Sequence, residues 1–380
     1  MIKTAFKFLK YDKPKSIGVV FAIVVSTFLI GQQVGILNFL MSLMGGIINN
    51  SDLEKAQILV VDKITINANE LGQLDERLVR ELRSIDGVER TYPLVLSSAN
   101  ATFETGKSVP VLLIGSEAPH FVGGPTENKI LKGTLDDLIN DFAVSAEFFD
   151  SKTFNHPTDV GTQLEINGKR AFIRVQTKDA RGFGGSYLFT TLERARYYGN
   201  FPENKVSAIA VSVKKGYAIN TVRDNINRSF EKVRAWKSED LRASTVKFIV
   251  ASSNIGTSIG SLVVFAIISG FFIIGLTLYS SAIDRIRDYG TLKAIGATNS
   301  YITKLILIQS FMFAFLGFVI ALFLLFGFRQ GVSKAGLIFT ISPVVLGGLF
   351  LITLLISVGS SFFFSIRTLN KVEPASVFRG

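Results

Sequence analysis

FIVASSNIGTSIGSLVVFAIISGFFIIGLTLYSSAI, residues 248–283, runs without a single charged side chain. A helix that crosses a bilayer needs about 20 apolar residues, and this run exceeds that length. Three more uncharged stretches qualify: residues 16–51 before it, and residues 305–328 and 335–366 after it. Between the first and second stretches lies a polar block, residues 52–247. One span therefore precedes the block and three follow it. The layout predicts a membrane α-helical fold, with four transmembrane helices in a 1+3 layout and an extracytoplasmic domain inserted between helices 1 and 2.

Composition points the same way. Of 380 residues, 48% are hydrophobic and 33 are Phe, which is too apolar for a soluble domain. The chain has no Cys, so disulfides, thiolate metal sites and cysteine nucleophiles are excluded. The two histidines, His120 and His156, sit beside Pro119 and Pro157 in polar loops. No nucleophile–base pair or metal-ligand spacing surrounds them, so no catalytic and no metal-binding residue is assigned. Charged residues inside the membrane, the usual mark of an ion-coupled carrier, are missing from all four stretches.

The net charge of +11 is placed unevenly. Residues 1–15 carry five Lys against one Asp, and residues 284–304 carry two Arg and two Lys against two Asp. The tail, residues 367–380, and the turn at 329–334 are also basic, whereas the polar block is close to neutral. A basic excess confined to the membrane flanks argues against a nucleic-acid partner. Short Lys/Arg-rich flanks mark the cytoplasmic side. Both termini and residues 284–304 are thus expected in the cytoplasm, with the polar block and the 329–334 turn outside. The expected location is a bacterial inner (cytoplasmic) membrane, crossed several times.

Within residues 1–15, Ile2, Phe6 and Leu9 share one helical face while Lys3, Lys7 and Lys10 share another. This reads as a cytoplasmic amphipathic helix resting on anionic lipid, or as a basic tail that only sets topology. The 16–51 and 248–283 stretches would each be about 54 Å long as helix, against about 30 Å of hydrocarbon. The surplus at 45–51 and 248–259 is expected to continue as helix, giving two stalks that link the polar block to the membrane. Gly45-Gly46 and Asn49-Asn50 favour a loop locally. The Gly256/Gly260 pair fits a small-x-x-x-small helix-packing pattern, which serves contacts within one chain or between two copies.

The polar block reads as α+β. Residues 56–61, 91–96, 101–103, 109–114, 187–189 and 206–213 are strand-like. Leu74, Leu78, Leu82 and Ile85 have helical spacing, as do Ile219, Val222, Ile226 and Val233, and residues 135–139 form a short helix. Residues 163–166 and 171–175 flank Asn167-Gly168, a strong hairpin signal. Residues 181–186, Arg-Gly-Phe-Gly-Gly-Ser, lack the Lys-Ser/Thr and helix start of a phosphate cradle and read as a turn or contact loop.

Residues 284–304 are short and charged at the start, then small and apolar around Gly290–Ala297. Leu292 and Ile295 are apolar on a segment expected to meet water, and Gly296 permits a reversal before Thr298 or Asn299 caps the next helix. Such a segment can seat a few apolar side chains in a partner's groove or dip them into lipid.

Here the string Arg287-Asp288-Tyr289-Gly290-Thr291-Leu292-Lys293-Ala294-Ile295-Gly296-Ala297 resembles the signature of FtsX-like ABC transporter permeases, MacB/DevC type. The tail from Lys371 to Arg379, with Glu373 and Pro374, is similar to the closing motif of that family. Residues 143–175 are similar to its MacB-like core domain. Asp288 stands where glutamate is commoner, and Gln309 where many members are acidic.

The resemblance implies a non-catalytic permease subunit working as a homodimer with a separate ABC ATPase subunit, which binds ATP and Mg; this chain binds no cofactor. Residues 287–297 would seat on the ATPase, and Glu373, Pro374 and Arg379 would brace that contact. ATP-driven closure would move the stalks and so the outer domain, exporting an amphiphile, lipid or peptide by mechanotransmission. The first and second spans would form the dimer seam. Permeases of this type often work with a membrane-fusion adaptor and an outer-membrane channel. An alternative is an FtsX-like regulator that drives an extracytoplasmic cell-wall hydrolase without transport; a membrane enzyme has little support.

Overall fold

The structure is a computed structural model that describes residues 13–284, 286–333, 339 and 342–366. In chain order, α1 (Lys13–Met44) is followed by strands β1 (Ile58–Asp62), β2 (Leu74–Asp75), β3 (Val88–Thr102), β4 (Ser108–Ser116), β5 (Ile130–Lys132), β6 (Ala143–Glu147), β7 (Gln163–Ile166), β8 (Lys169–Thr177) and β9 (Ser186–Thr191). Then come α2 (Leu192–Gly199), β10 (Lys205–Val206), β11 (Ala208–Val213), α3 (Ile219–Ser229), β12 (Val233–Lys237) and α4 (Ser238–Ser252). The chain continues as α5 (Ile255–Asp284), α6 (Ile286–Ala294), α7 (Asn299–Ser333) and α8 (Pro343–Ser361). Contacts divide it into a helical unit, Met1–Phe39 with Ile255–Gly380, and a sheet domain, Leu40–Asn254.

Among the described residues, four helices are long and apolar enough to cross a membrane: Ser16–Met44 within α1, Ile255–Asp284, Asn299–Ser333 and Pro343–Phe364. The sheet-rich domain lies between the first and second of them, as the sequence predicts. Inside the helical unit the close approaches use small residues. A Cβ on Gly317 would fall 2.5 Å from Ile23, one on Gly31 2.7 Å from Leu325, and one on Gly270 2.0 Å from the Ser26 hydroxyl. Buried hydroxyls also link helices: those of Thr27 and Thr353 lie 3.1 Å apart, and Ser357 Oγ donates to the Ser310 carbonyl at 3.1 Å. Without water to drive association, such van der Waals and hydroxyl contacts hold the helices together.

The sheet domain is organised by β3, whose 15 residues border several partners. One edge carries β4; the other carries β11 along its first half and β7 at its end. From there the strands curl into a ring: β3–β4 antiparallel, β4–β9 parallel, β6–β8 parallel, and β8–β7–β3 antiparallel. Between β9 and β6 the ring closes through side chains, with Phe189 N donating to Ser145 Oγ at 2.9 Å and Thr190 Oγ1 donating to the Ala143 carbonyl at 2.7 Å. Val95, Leu113, Val144, Ile173 and Leu188 fill it, under Ala195 and Tyr198 of α2. The Tyr198 hydroxyl donates to the Arg170 carbonyl at 3.0 Å, and burial pushes its ionisation up to about 12.

The open end of the sheet runs β12–β1–β11–β3. β1 is buried on both faces, which explains its unbroken Ile-Leu-Val-Val run. Ile58 and Val60 meet Val222 and Ile226 of α3. Leu59 and Val61 share a core with Ile47, Ile48, Tyr187, Phe189 and Leu241. The β7–β8 hairpin turns on Asn167 and Gly168, both at positive φ, as the Asn-Gly pair predicts.

Several expectations need correction. The 91–96 and 101–103 runs are one strand, β3, and the 219–233 helix stops at Ser229 so that β12 can begin at Val233. Neither stalk is a continuous helix. α1 ends at Met44, and a 3-10 turn, Gly46–Asn50, replaces the expected helix over 45–51. Gly46 sits at φ 55°, a left-handed conformation that suits glycine and closes a helix. The second stalk divides into α4 and α5 at Ser253-Asn254, where Asn254 has φ 54°. The hydroxyls of Ser252 and Ser253 bond back to the Phe248 and Ile249 carbonyls there, an interaction that competes with helix continuation. The third span starts at Asn299, six residues before the uncharged run, and its helix continues through Ser333, into the expected 329–334 turn.

Candidate functional site

The predicted coupling residues form one helix and its cap. α6 covers Ile286–Ala294 and ends in a left-handed Gly296 at φ 101°. Gly296 N donates to the Lys293 carbonyl at 3.0 Å, and Ala297 N donates to the Leu292 carbonyl at 2.9 Å. This pair of bonds is a Schellman closure, and glycine supplies its left-handed position without strain. Thr298 then caps α7, its Oγ1 accepting from Tyr301 N at 3.3 Å.

The two faces of α6 differ. Tyr289 is 3% exposed and clusters with Ala282, Ile302, Leu305 and Ile306; Ile286 and Leu292 pack against that cluster. Gly290 is also buried, while Lys293 and Ala297 are half-buried. Arg287, Asp288, Thr291, Ala294, Ile295 and Gly296 are exposed. Of the two apolar residues expected to face a partner, only Ile295 is exposed, at 77%. Leu292 turns inward because Ile302 and Leu305, after the reversal, offer it a surface. The tail residues Glu373, Pro374 and Arg379, and the residue 1–10 amphipathic pattern, lie outside the described residues. Among the described residues, nothing lies within 4 Å of a Cβ built on Gly260 of α5.

A second constellation, which the sequence reading missed, sits where α1 enters the sheet domain. The Met44 carbonyl at the end of α1 accepts from Asn69 Nδ2 at 2.9 Å, and Asn69 Oδ1 accepts from the Tyr187 hydroxyl at 3.2 Å. Asn50, fully buried, donates through Nδ2 to the Gly46 and Arg181 carbonyls, each at 3.1 Å. Lys129 Nζ donates to Asn50 Oδ1 at 2.7 Å and to the Asn49 carbonyl at 2.6 Å. The 181–186 loop is therefore a fastened contact rather than a free turn.

Behind it lies a buried charge cluster. Glu147 is 0% exposed and accepts from Asp179 N at 2.9 Å, Ala180 N at 3.1 Å and Thr177 Oγ1 at 3.0 Å. Arg181 Nε lies 3.7 Å from Glu147 Oε1, and its Nη2 lies 3.9 Å from Asp150 Oδ1. The guanidinium also rests over the Phe149 ring, 4.8 Å from the centroid. Loss of hydration raises both the Glu147 and Asp150 carboxyls above their ordinary range, and it lowers the Lys129 amine. The only trace of this cluster in the sequence is an acid, Glu147, closing a short apolar strand.

The histidines have structural settings. His156 stacks on Phe103 with ring centroids 5.0 Å apart, and His120 meets Tyr92 edge to face at 5.6 Å. Among the described residues, no group of three His, Cys, Asp or Glu is placed to hold a metal ion.

Comparison with known proteins places the second half of the chain. Residues 260–372 match the model of the FtsX-like permease C-terminal family, a region that contains all of α6. An uncharacterized ABC transporter permease of Methanocaldococcus jannaschii is 25% identical over 199 residues, covering 49% of this chain and 48% of that protein. The match thus spans about half the length of this curated relative. Among solved structures, the periplasmic region of MacB from Actinobacillus actinomycetemcomitans aligns at 12% identity over 53% of this chain and 96% of that one, with a TM-score of 0.38. The extracellular domain of the noncanonic ABC-type transporter YknZ from Gram-positive bacteria aligns at 15% identity over 47% and 98%, with a TM-score of 0.35. Residues 260–372 of the chain are thus similar to the FtsX-like permease C-terminal family, and about half of the chain is similar to an ABC transporter permease.

Proposed function

We propose that this chain is the permease subunit of an ABC-type exporter that works by mechanotransmission. A separate ABC ATPase subunit binds ATP and Mg, hydrolyses the nucleotide and seats on α6. Two copies of the permease form the membrane part, with both termini and α6 in the cytoplasm and the sheet domain extracytoplasmic. Movement of α1 and α5 reaches the sheet domain, which acts on an amphiphile, lipid or peptide with the help of a membrane-fusion adaptor. The chain itself is non-catalytic.

The observation that carries this reading is Ile295, an apolar side chain left 77% exposed at the capped end of α6, between two spans. An isolated surface isoleucine would need no explanation. This one stands in the stretch that matches the permease family, on a helix whose other face is fastened down. Ile295→Asp is expected to abolish co-purification of the ATPase and its stimulation while the permease remains folded. Full stimulation by that variant would overturn the assignment. Because the chain has no Cys, single cysteines at Thr105 and Arg287 can be labelled cleanly from either side of the membrane. Labelling of both from the same side would overturn the topology.

A further inference from the structure

β12 ends the sheet order β12–β1–β11–β3, so among the described residues one of its edges has no strand beside it. Its register against β1 decides which groups that edge carries. Ser238 N donates to the Gln57 carbonyl at 3.0 Å, and Lys63 N donates to the Lys232 carbonyl at 3.2 Å. Antiparallel ladders alternate between bonded and non-bonded pairs. From either end of the ladder, Ala235, opposite Val60, falls at a non-bonded position, so its N–H and C=O point away from β1. Both groups are taken by one side chain. Ala235 N donates to Asn227 Oδ1 at 2.7 Å, and Asn227 Nδ2 donates to the Ala235 carbonyl at 3.1 Å. Asn227 is an exposed residue in the last turn of α3. Its carboxamide has the donor and the acceptor of a peptide unit. These are the two bonds that one residue of an added strand would exchange with Ala235. The opposite end of the sheet order, β5, has three residues and a shifted register, which blunts that edge by itself. β12 pairs over five positions without a shift.

We propose that Asn227 closes this edge to strand addition, and that the strand it excludes is β12 of a second copy. The sequence of β12 is complementary to itself. A two-fold antiparallel pairing centred on Ala235 sets Arg234 of each copy across from Trp236 of the other, and Val233 across from Lys237. No like charges meet directly among these five positions. Arg234 and Trp236 already attract each other within the strand, the guanidinium lying 3.8 Å from the ring centroid. In such a pairing Ala235 bonds its own counterpart through the two groups that Asn227 holds. An edge with these properties is a template for another chain unless something covers it, and the carboxamide of Asn227 covers its centre.

The test is amide exchange resolved at Ala235, on the full chain in detergent, across a range of protein concentrations. In the unaltered chain this amide should exchange slowly, at a rate independent of concentration. Asn227→Leu should make it exchange about fivefold faster in dilute protein, the worth of one hydrogen bond. Raising the concentration should then restore slow exchange, because β12 of a second copy takes the released groups. Asn227→Ser, a milder change at an exposed helix position and too short to hold both groups, should repeat the result. Slow exchange at Leu59, which pairs with Trp236, checks in each variant that the β1–β12 ladder is intact. Fast exchange at Ala235 at every concentration in both variants would overturn the proposal, since no second strand arrives. So would slow exchange in the dilute variants, or a concentration dependence in the unaltered chain. None of these readouts needs an ATPase, so they stand or fall apart from the coupling assignment.

Discussion

The sheet domain and the helical unit bury their residues by opposite rules. In the sheet domain the largest fully enclosed side chains are aromatic: Tyr187, Tyr198, Phe121, Phe154 and Phe189. In the helical unit many large residues point outward, with Phe323 at 72% and Phe265 at 67% exposure, while Gly270, Gly317 and Ser310 sit at the helix contacts. Water drives bulk into a core, but lipid gives no such drive, and close backbone approach replaces it. The same residue type therefore has a different worth in the two regions.

That difference is open to direct tests. Phe154→Ala should destabilise the sheet domain by about 4 kcal/mol, whereas Phe323→Ala should leave the helical unit unchanged; thermal unfolding of each variant checks both. Comparable losses would break the contrast. Glu147→Ala should cost about 3 kcal/mol, because the Asp179 and Ala180 amides and the Thr177 hydroxyl lose their acceptor and the Arg181 ion pair is lost. Gly317→Leu should cost about 2 kcal/mol by forcing Ile23 aside, while Gly347→Leu, with open space around it, should cost nothing. Unfolding of the purified chain in detergent reads both changes.

The buried acids add a pH test whose sign follows from their environment. Glu147 ionises above its ordinary value of 4.5, so the folded domain keeps a proton that the unfolded chain has released. Its contribution is fully present below the ordinary range and is lost as pH rises through the raised value. Asp150 has the same sign, so Glu147→Gln should lessen the fall in melting temperature without abolishing it. Lys129 acts at the alkaline end: its contribution is present above 10.5 and is lost as pH falls through its lowered value. The smallest expected effect belongs to Gly296→Ala, about 1 kcal/mol, from strain at a left-handed residue. It should loosen α6 locally, seen as faster amide exchange at Ala297.

The four spans were legible because they depend on one local property, a long run without charge. The Asn167-Gly168 hairpin was legible because two adjacent residues determine the turn. What the sequence hid depends on distant partners. β6 is an acid-ended five-residue segment until β8 pairs with it, and Leu292 faces inward only because Ile302 and Leu305 return beside it. The helix break at Asn254 falls inside an uncharged run, where hydropathy gives no sign of a boundary, whereas at Gly46 the Gly45-Gly46 pair already favoured a loop. The cluster of Asn50, Lys129, Glu147 and Arg181 draws on four separate segments, and no spacing rule joins them.

β3 has one more consequence. It lends side chains to the ring and to the open sheet, so its alignment is set twice over. A slide by a single position would turn Ala99 and Ala101 toward the exposed face at one end and exchange Val95 with Leu94 between the two cores at the other. Neither half can rearrange its pairing alone, so sliding within this part of the sheet is opposed from both sides.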